Sequence, residues 1–379
     1  MKTIKLFAIA AITLGMMACN KNENTEVNPN EGAQATLTVK VDTSSSLRAI
    51  GAVPADGTVK SLEVFVYAGD VLEGYGKADN ATEVKDIKVT TGNRKMVVVA
   101  NANLGKVNSL KALMAKKVEG KVAVFGAPEG DQVDIAMTSE TKDITIKAGK
   151  NVYGLAAGAE DNNLSTDPLE LVKVPARISL ISAKTEFAEP FTGWTFEPKA
   201  IFVFNVPGNT NYFGSPLAID GDHFSGIDMT AWTGDLLAPG TTKVNAALFD
   251  AVDDLSTITE NNPAYYYSFE NREGSEAVVL TIKGKLKNAD GEYVSGEPFA
   301  DASGFTYYSI LVNADRAGYT YTGEDTAIGY LKRNTDYRLS VTIKRPGTGD
   351  PTTPPAETAT LDVKVEVKPW TKVSQTVVY

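Results

Sequence analysis

Apolar and polar residues alternate one by one through most of this chain. Residues 35–41 do so strictly, placing Leu37, Val39 and Val41 on one face and Thr36, Thr38 and Lys40 on the other. Such a period of two is that of a half-buried strand. Residues 59–67 repeat the pattern, and residues 95–100 are apolar enough for a strand buried on both faces. Further strands are expected at 143–147, 178–183, 200–206 and 277–287, with turn residues between them. Helical spacing is confined to residues 107–117, where Leu110, Leu113 and Met114 recur. Many strands and little helix predict an all-β fold of two β-sandwich domains with a minor helix.

Turn and linker chemistry divides the chain. Residues 161–168 read as an exposed loop, and a fresh strand opens at Ala176-Arg177-Ile178, which places the domains at 49–173 and 174–345. Residues 346–355 are rich in Pro and Gly, so they read as a flexible linker rather than a strand. Beyond it, Leu361, Val363, Val365 and Val367 alternate with charged residues, and residues 373–379 form another candidate strand. Residues 346–379 are therefore a linker followed by strands that either complete their own domain or are offered to another molecule.

The first residues carry an export signal. Lys2 and Lys5 precede an apolar run at 6–14, too short for a stable membrane anchor, and the run closes on Met16-Met17-Ala18-Cys19. A cysteine directly after the small residue matches a lipobox, with Met16 where leucine is usual. The reading is a signal peptide over 1–18 and acylation of Cys19. Residues 20–32 are polar and aperiodic, a tether that holds a folded body outside a membrane.

Composition narrows the chemistry. The 379 residues carry a formal net charge of -10, with no basic cluster of the kind a phosphate backbone requires, so nucleic acid is not an expected partner. Cys19 and His223 are the single residues of their types. The mature domains thus hold without disulfides, and catalytic pairs or zinc sites built on histidine or cysteine have almost no material. Asp220, Asp222 and Asp228 surround His223, but Ala231 stands where a calcium loop closes on glutamate, so the segment reads as a turn. Gly74-Tyr75-Gly76 lacks the third glycine of a dinucleotide site and reads as a loop. Tyr265-Tyr266-Tyr267 reads as an aromatic strand. No catalytic residue, metal or cofactor is expected, and the chain is not read as an enzyme.

One constellation suggests a function. The polar run at 43–46 separates the first strand from the body and leads into Leu47-Arg48-Ala49. An arginine in a polar loop is a good target for a trypsin-like protease. Cleavage between Arg48 and Ala49 would release the tether and first strand, residues 19–48. Burying Leu37, Val39 and Val41 is worth roughly 1.5–3 kcal/mol each, so about 5–9 kcal/mol of apolar surface would be uncovered. An open slot of that kind recruits another strand, and Leu361, Val363, Val365 and Val367 have the matching alternation.

In the order Met17-Ala18-Cys19-Asn20-Lys21, Leu47-Arg48-Ala49, Pro175-Ala176-Arg177-Ile178, Arg333-Asn334-Thr335-Asp336-Tyr337, Val367-Lys368-Pro369-Trp370 and Gln375-Thr376-Val377-Val378-Tyr379, the chain resembles the fimbrillin family of Bacteroidetes, the major subunits of type V pili. The resemblance implies two transthyretin-like β-sandwiches and export as an outer-membrane lipoprotein. It further implies cleavage after Arg48 by an arginine-specific protease and polymerisation by strand exchange into a surface fimbria. The implied partners are further copies of the chain, with anchor and tip proteins, and a stalk position follows from having both the cleavage arginine and the tail. The rival reading from the residues alone is a monomeric surface lipoprotein that binds a glycan or a protein.

Overall fold

The computed structural model describes residues 32–42, 58–119, 134–159, 161–214, 222–271, 277–314, 319–323, 330–353 and 361–369. In the first half the strands are β1 (Gln34–Asp42), β2 (Ser61–Ala68), β3 (Val71–Asp79), β4 (Glu83–Thr90), β5 (Gly92–Ala100), β6 (Lys117–Glu119), β7 (Met137–Thr138), β8 (Lys142–Ile146), β9 (Gly149–Tyr153), β10 (Asn162–Ser165), β11 (Leu169–Glu170) and β12 (Val172–Lys173). One sheet is ordered β10-β9-β1-β11 with β4 also on β1; the other is ordered β12-β7-β5-β2-β3 with β8 on β5. Their apolar faces meet in one core, which joins Leu37 and Val39 of β1 to Leu62, Val64 and Val98 of the opposite sheet. The alternation read from the sequence is what allows each strand to bury one face there.

The second half holds β13 (Ala176–Thr185), β14 (Thr195–Phe204), β15 (Val206–Pro207), β16 (Asn209–Asn211), β17 (His223–Ser225), β18 (Thr241–Val244), β19 (Phe249–Ala251), β20 (Ala264–Ser268), β21 (Val279–Lys287), β22 (Thr306–Leu311), β23 (Tyr319–Gly323), β24 (Thr335–Ile343) and β25 (Leu361–Pro369). Its two main sheets, β20-β13-β24-β25-β23 and β19-β14-β21-β22, enclose a second core that runs from Val174 to Leu361. The fold is all-β and sandwich-like.

The halves interlock. β6 from the first half pairs with β16 from the second, and Val118 of β6 enters the second core. In return Phe213, just after β16, packs on the outer face of β2 and β5 beside Phe65, Tyr67 and Val97. The crossover between halves is also tied down by side chains. Asn334, held at a φ of 56°, accepts from the Lys173 amide at 3.3 Å, and its own amide donates to the Pro175 carbonyl at 3.0 Å. Asp336 pairs with Arg177 at 2.6 Å and accepts from the Ser179 hydroxyl at 2.7 Å. Two of the sequence signatures, 175–178 and 333–337, are therefore neighbours joined by parallel pairing of β13 with β24.

Several local readings change. The helix is one short element, α1 (Leu110–Met114), capped by the Ser109 hydroxyl, which accepts from the Ala112 amide at 3.2 Å. It stops early because Lys117–Glu119 is taken into pairing with β16. Residues 74–79 are not a loop but most of β3. A Cβ on Gly76 would lie 2.5 Å from Val84 and one on Gly74 2.7 Å from Val89, so the glycines let β3 fold tightly over β4. Asn162–Ser165 is likewise a strand, paired with β9. Residues 346–353 form no ladder strand, yet they are seated rather than loose. Thr348 exchanges backbone bonds with Tyr307, and the fully buried Thr352 accepts at Oγ1 from the Gly234 amide at 2.9 Å.

Candidate functional site

β1 lies between two neighbours that run in different directions. It is antiparallel to β4, with Leu37 opposite Ile87, and parallel to β9, with Leu37 opposite Asn151. At its far end Val41 and Asp42 pair with β11. Leu37 and Val39 have 0% exposure and Val41 has 2%, so all three are buried in the first core. Ala35 joins them at the start of the strand.

The slot grips the backbone of β1 as well as its side chains. The Thr91 hydroxyl accepts from the Ala33 amide at 3.2 Å, and the Thr91 amide donates to the Ala33 carbonyl at 2.9 Å. Asn151 is fully buried; its Nδ2 donates to the Thr36 carbonyl at 3.2 Å and to the Lys147 carbonyl at 2.8 Å, tying the turn before β9 to β1. A bulge in β4 puts Asp86 at a φ of 54°, and its amide donates to the Thr38 hydroxyl at 3.3 Å. Gly154 sits at a φ of 78°, where a Cβ would come within 2.5 Å of the Lys40 carbonyl. Only glycine gives the wall after β9 so close an approach to β1. The slot is thus shaped to a main chain over its whole length, and apolar side chains on alternate residues complete it.

The opposite wall is buttressed by an ion pair. Arg94, buried, forms a short contact with Glu73 and donates from Nη2 to the Thr90 hydroxyl at 2.7 Å. Burial works to raise the Glu73 carboxyl, but hydrogen bonds from Arg94 and Thr90 overcome it and hold the group below its usual range. Arg94 is therefore committed inside the fold.

The carboxy-terminal residues expected as a donor lie elsewhere. Leu361 is buried in the second core, and β25 runs antiparallel to β24 and parallel to β23 in its own chain. Val363, Val365 and Val367 stand opposite Val341, Leu339 and Tyr337 of β24. Of the two fates expected for the strand at 361–367, completing its own domain or serving another molecule, this pairing is the first; residues 346–353 are seated on the second half as described above. Cys19, Arg48, Ala49 and residues 370–379 lie outside the described residues.

Other candidates disperse. His223 is buried in β17, Asp222 pairs with Lys243, and Asp228 accepts from the Thr230 amide at 2.9 Å. Among the described residues no three His, Cys, Asp or Glu side chains gather for a metal. Tyr266 and Tyr267 are buried in β20, with the Tyr266 hydroxyl donating to Asp250 at 2.6 Å, so this stretch is core and not a binding surface. What sequence reasoning missed was the grip of Asn151, Thr91 and Gly154 on β1; side chains that hold a distant backbone leave no periodic trace.

Residues 35–173 match the major fimbrial subunit protein (FimA), and residues 175–370 match the FimA4 pilin C-terminal domain. The chain belongs to the FimA family of major fimbrial subunits. It is 32% identical over 400 residues to the major fimbrium subunit FimA type-2 of Porphyromonas gingivalis, covering 100% of both chains. A putative fimbrium tip subunit, Fim1C, of Parabacteroides distasonis is 22% identical over 89% of this chain and 85% of its own. The fold superposes on the crystal structure of a fimbrilin from Porphyromonas gingivalis with a TM-score of 0.77, at 27% identity, covering 90% of this chain and 99% of that one. A putative cell adhesion protein from Parabacteroides distasonis shares the fold, with a TM-score of 0.64 at 20% identity. As a member of this family the chain is a structural subunit of a cell-surface fimbria, not an enzyme.

Proposed function

We propose that this fimbrial subunit is exported as a lipoprotein acylated at Cys19, cut between Arg48 and Ala49 by an arginine-specific protease, and polymerised by strand exchange into the vacated β1 slot. The observation that carries this reading is β1 itself. It is an interior strand of the first sandwich, fully buried on one face, yet it joins the body only through residues 43–57, which contain Arg48. Its removal opens a slot bounded by ladder groups of both β4 and β9, and such a slot binds any strand of suitable alternation.

The donor follows from balance. If β25 left its place to fill a neighbour's slot, it would open an equal slot between β24 and β23, and assembly would gain nothing. Residues 370–379 follow β25 directly in the sequence, so a donor drawn from them would leave β25 in its sheet. The donor role expected of Leu361, Val363, Val365 and Val367 therefore passes to residues 370–379, with Val373 and Val377 among its apolar positions, while β25 anchors their root. The partners are further copies of the chain, with anchor and tip proteins at the two ends, and the outer membrane holds the lipidated precursor before processing.

Three variants test the reading. Arg48→Ala keeps the plug and stops polymerisation, and deletion of residues 370–379 leaves a folded monomer that no longer chains. A β25 variant, Leu361→Asp, destabilises the monomer itself. Abundant polymer from Arg48→Ala, read on a gel after mild detergent, would refute cleavage as the trigger. Polymer from the tail deletion would return the donor role to β25.

A further inference from the structure

The outer face of the β14-β21-β22 sheet is roofed over only part of its length. Phe202, Phe204 and Val279 lie under a segment that contributes Met229 and Leu236, and Trp232 meets Tyr307 edge-on at 5.7 Å. Past that roof the face is open. Alternate residues of β21 bring Lys283, Lys285 and Lys287 out on it, none of them fully buried. Beside this row runs a row of rings. Lys283 Nζ lies 3.9 Å from the centre of Phe305, Lys285 Nζ lies 5.1 Å from Phe305 and 5.7 Å from Tyr293, and Lys287 Nζ lies 4.6 Å from Tyr293. Tyr293 is 56% exposed, unusual for a large ring in this chain.

The charges on the strip do not cancel. Glu197 takes Lys287 at 2.7 Å and accepts from the Tyr293 hydroxyl at 2.9 Å, which holds that ring beside the lysines. Asp301 acts on Lys283 from its own turn, where it also accepts from the Tyr307 hydroxyl at 3.0 Å. Lys285 lies over two rings, and its cross-strand neighbour Glu197 is engaged by Lys287 and Tyr293. On a chain of net charge -10, a row of three lysines beside the exposed Tyr293 and the half-buried Phe305 is out of keeping with its surroundings.

We propose that this strip binds an acidic oligosaccharide. Exposed ring faces suit the apolar faces of pyranose units, and ammonium groups between the rings suit carboxylates carried on them. A peptide is a poorer match, because the backbone of β21 is already paired on both sides and offers no edge for strand addition. A long polyphosphate is poorer still, since it has no apolar faces to lie against the rings. One strip per subunit would make a weak site, and repetition along a fibre would add avidity; only this last point rests on the assembly reading.

The test uses the full chain as a monomer and a short oligogalacturonide, with a neutral galactose oligomer and a single-stranded DNA oligonucleotide as comparisons, measured by titration calorimetry. The acidic sugar is expected to bind in a salt-sensitive manner, with the neutral sugar and the DNA weaker. Lys285→Glu and Tyr293→Ala are each expected to weaken it by about tenfold or more, and Lys95→Glu on the distant β5 to leave it unchanged. Absence of binding, equal binding of the neutral sugar, tighter binding of the DNA, or unaltered binding by the two strip variants would each overturn the proposal. The strip is remote in sequence and sheet from the β1 slot, so these outcomes do not bear on polymerisation, which is scored separately on the same variants.

Discussion

Arg333 and Glu270 face each other near the junction of the two halves, and their pairing does more than join two strands' ends. The Arg333 Nε donates to the Glu270 carboxylate at 3.0 Å, while Nη1 donates to the Tyr212 carbonyl at 2.8 Å and Nη2 to the Asn211 carbonyl at 3.1 Å. Those two carbonyls belong to the segment that pairs with β6 of the first half. Thr138, from the first half, also donates to the Tyr212 carbonyl, at 3.3 Å. One largely buried guanidinium thus holds the second core, the bridge strand and the contact between halves in a single arrangement.

Removing it leaves the buried Glu270 carboxylate without its charged partner and takes one donor from each of the Tyr212 and Asn211 carbonyls. Arg333→Met is expected to destabilise the chain by about 3–5 kcal/mol. Urea unfolding followed by tryptophan fluorescence measures this, since Trp194 and Trp232 both report on the second half. A loss well under 1 kcal/mol would show the pair to be replaceable.

The β1 slot makes its own demands on packing. Leu37→Ala removes a fully buried side chain from the centre of the first core and is expected to cost about 2–5 kcal/mol in the uncleaved chain. Hydrogen exchange should localise the loss to β1, β4 and β9. Uniform loosening of both halves would contradict the two-core architecture.

Gly154 is exposed to a different kind of test. Its positive φ and the nearness of the Lys40 carbonyl leave no place for a side chain. Gly154→Ala is expected to cost about 1–3 kcal/mol and to speed release of the first strand once residues 43–57 are cut. A cleaved variant that keeps its first strand as long as the parent does would argue against this wall as a grip on β1.

Acid stability should report on Glu73. Its carboxyl titrates below the usual range in the folded chain, so the folded state binds this proton less readily than the unfolded state does. The contribution is complete above the ordinary carboxylate pKa and fades as pH falls through the lowered one. Glu73→Gln is expected to lower stability at neutral pH and to flatten its fall in acid. Parallel stability curves for parent and variant between neutral pH and pH of about 3 would dismiss the pair as a source of pH dependence.

Strict alternation made most strands legible, and residues 35–41 announced both the strand and its buried face. The alternation in residues 361–367 was equally clear, but it could not say whose sheet the strand would enter; only the ladder with β24 decides that. Similarly, helical spacing near Leu113 was real but short-lived, because a pairing with a strand some ninety residues away overrode it. Glycines in β3 and the Pro-Gly stretch after Arg345 looked like breaks in structure. In both places the lack of a side chain serves close packing, as where a Cβ on Gly347 would strike the Tyr307 carbonyl at 2.4 Å. The grip on β1 was illegible because it is made of single polar residues reaching main-chain atoms far away in sequence.

The slot of β1 belongs to one sandwich, whereas the root from which residues 370–379 depart belongs to the other. If the proposed exchange occurs, each contact joins unlike surfaces, slot to tail, so copies that do not swap reciprocally add head to tail. Under that reading each head-to-tail addition would leave a vacancy at one end and a tail at the other, and growth would have a direction. Length would then be set by whatever lacks one of the two ends, a cap without a tail or a base without a vacancy.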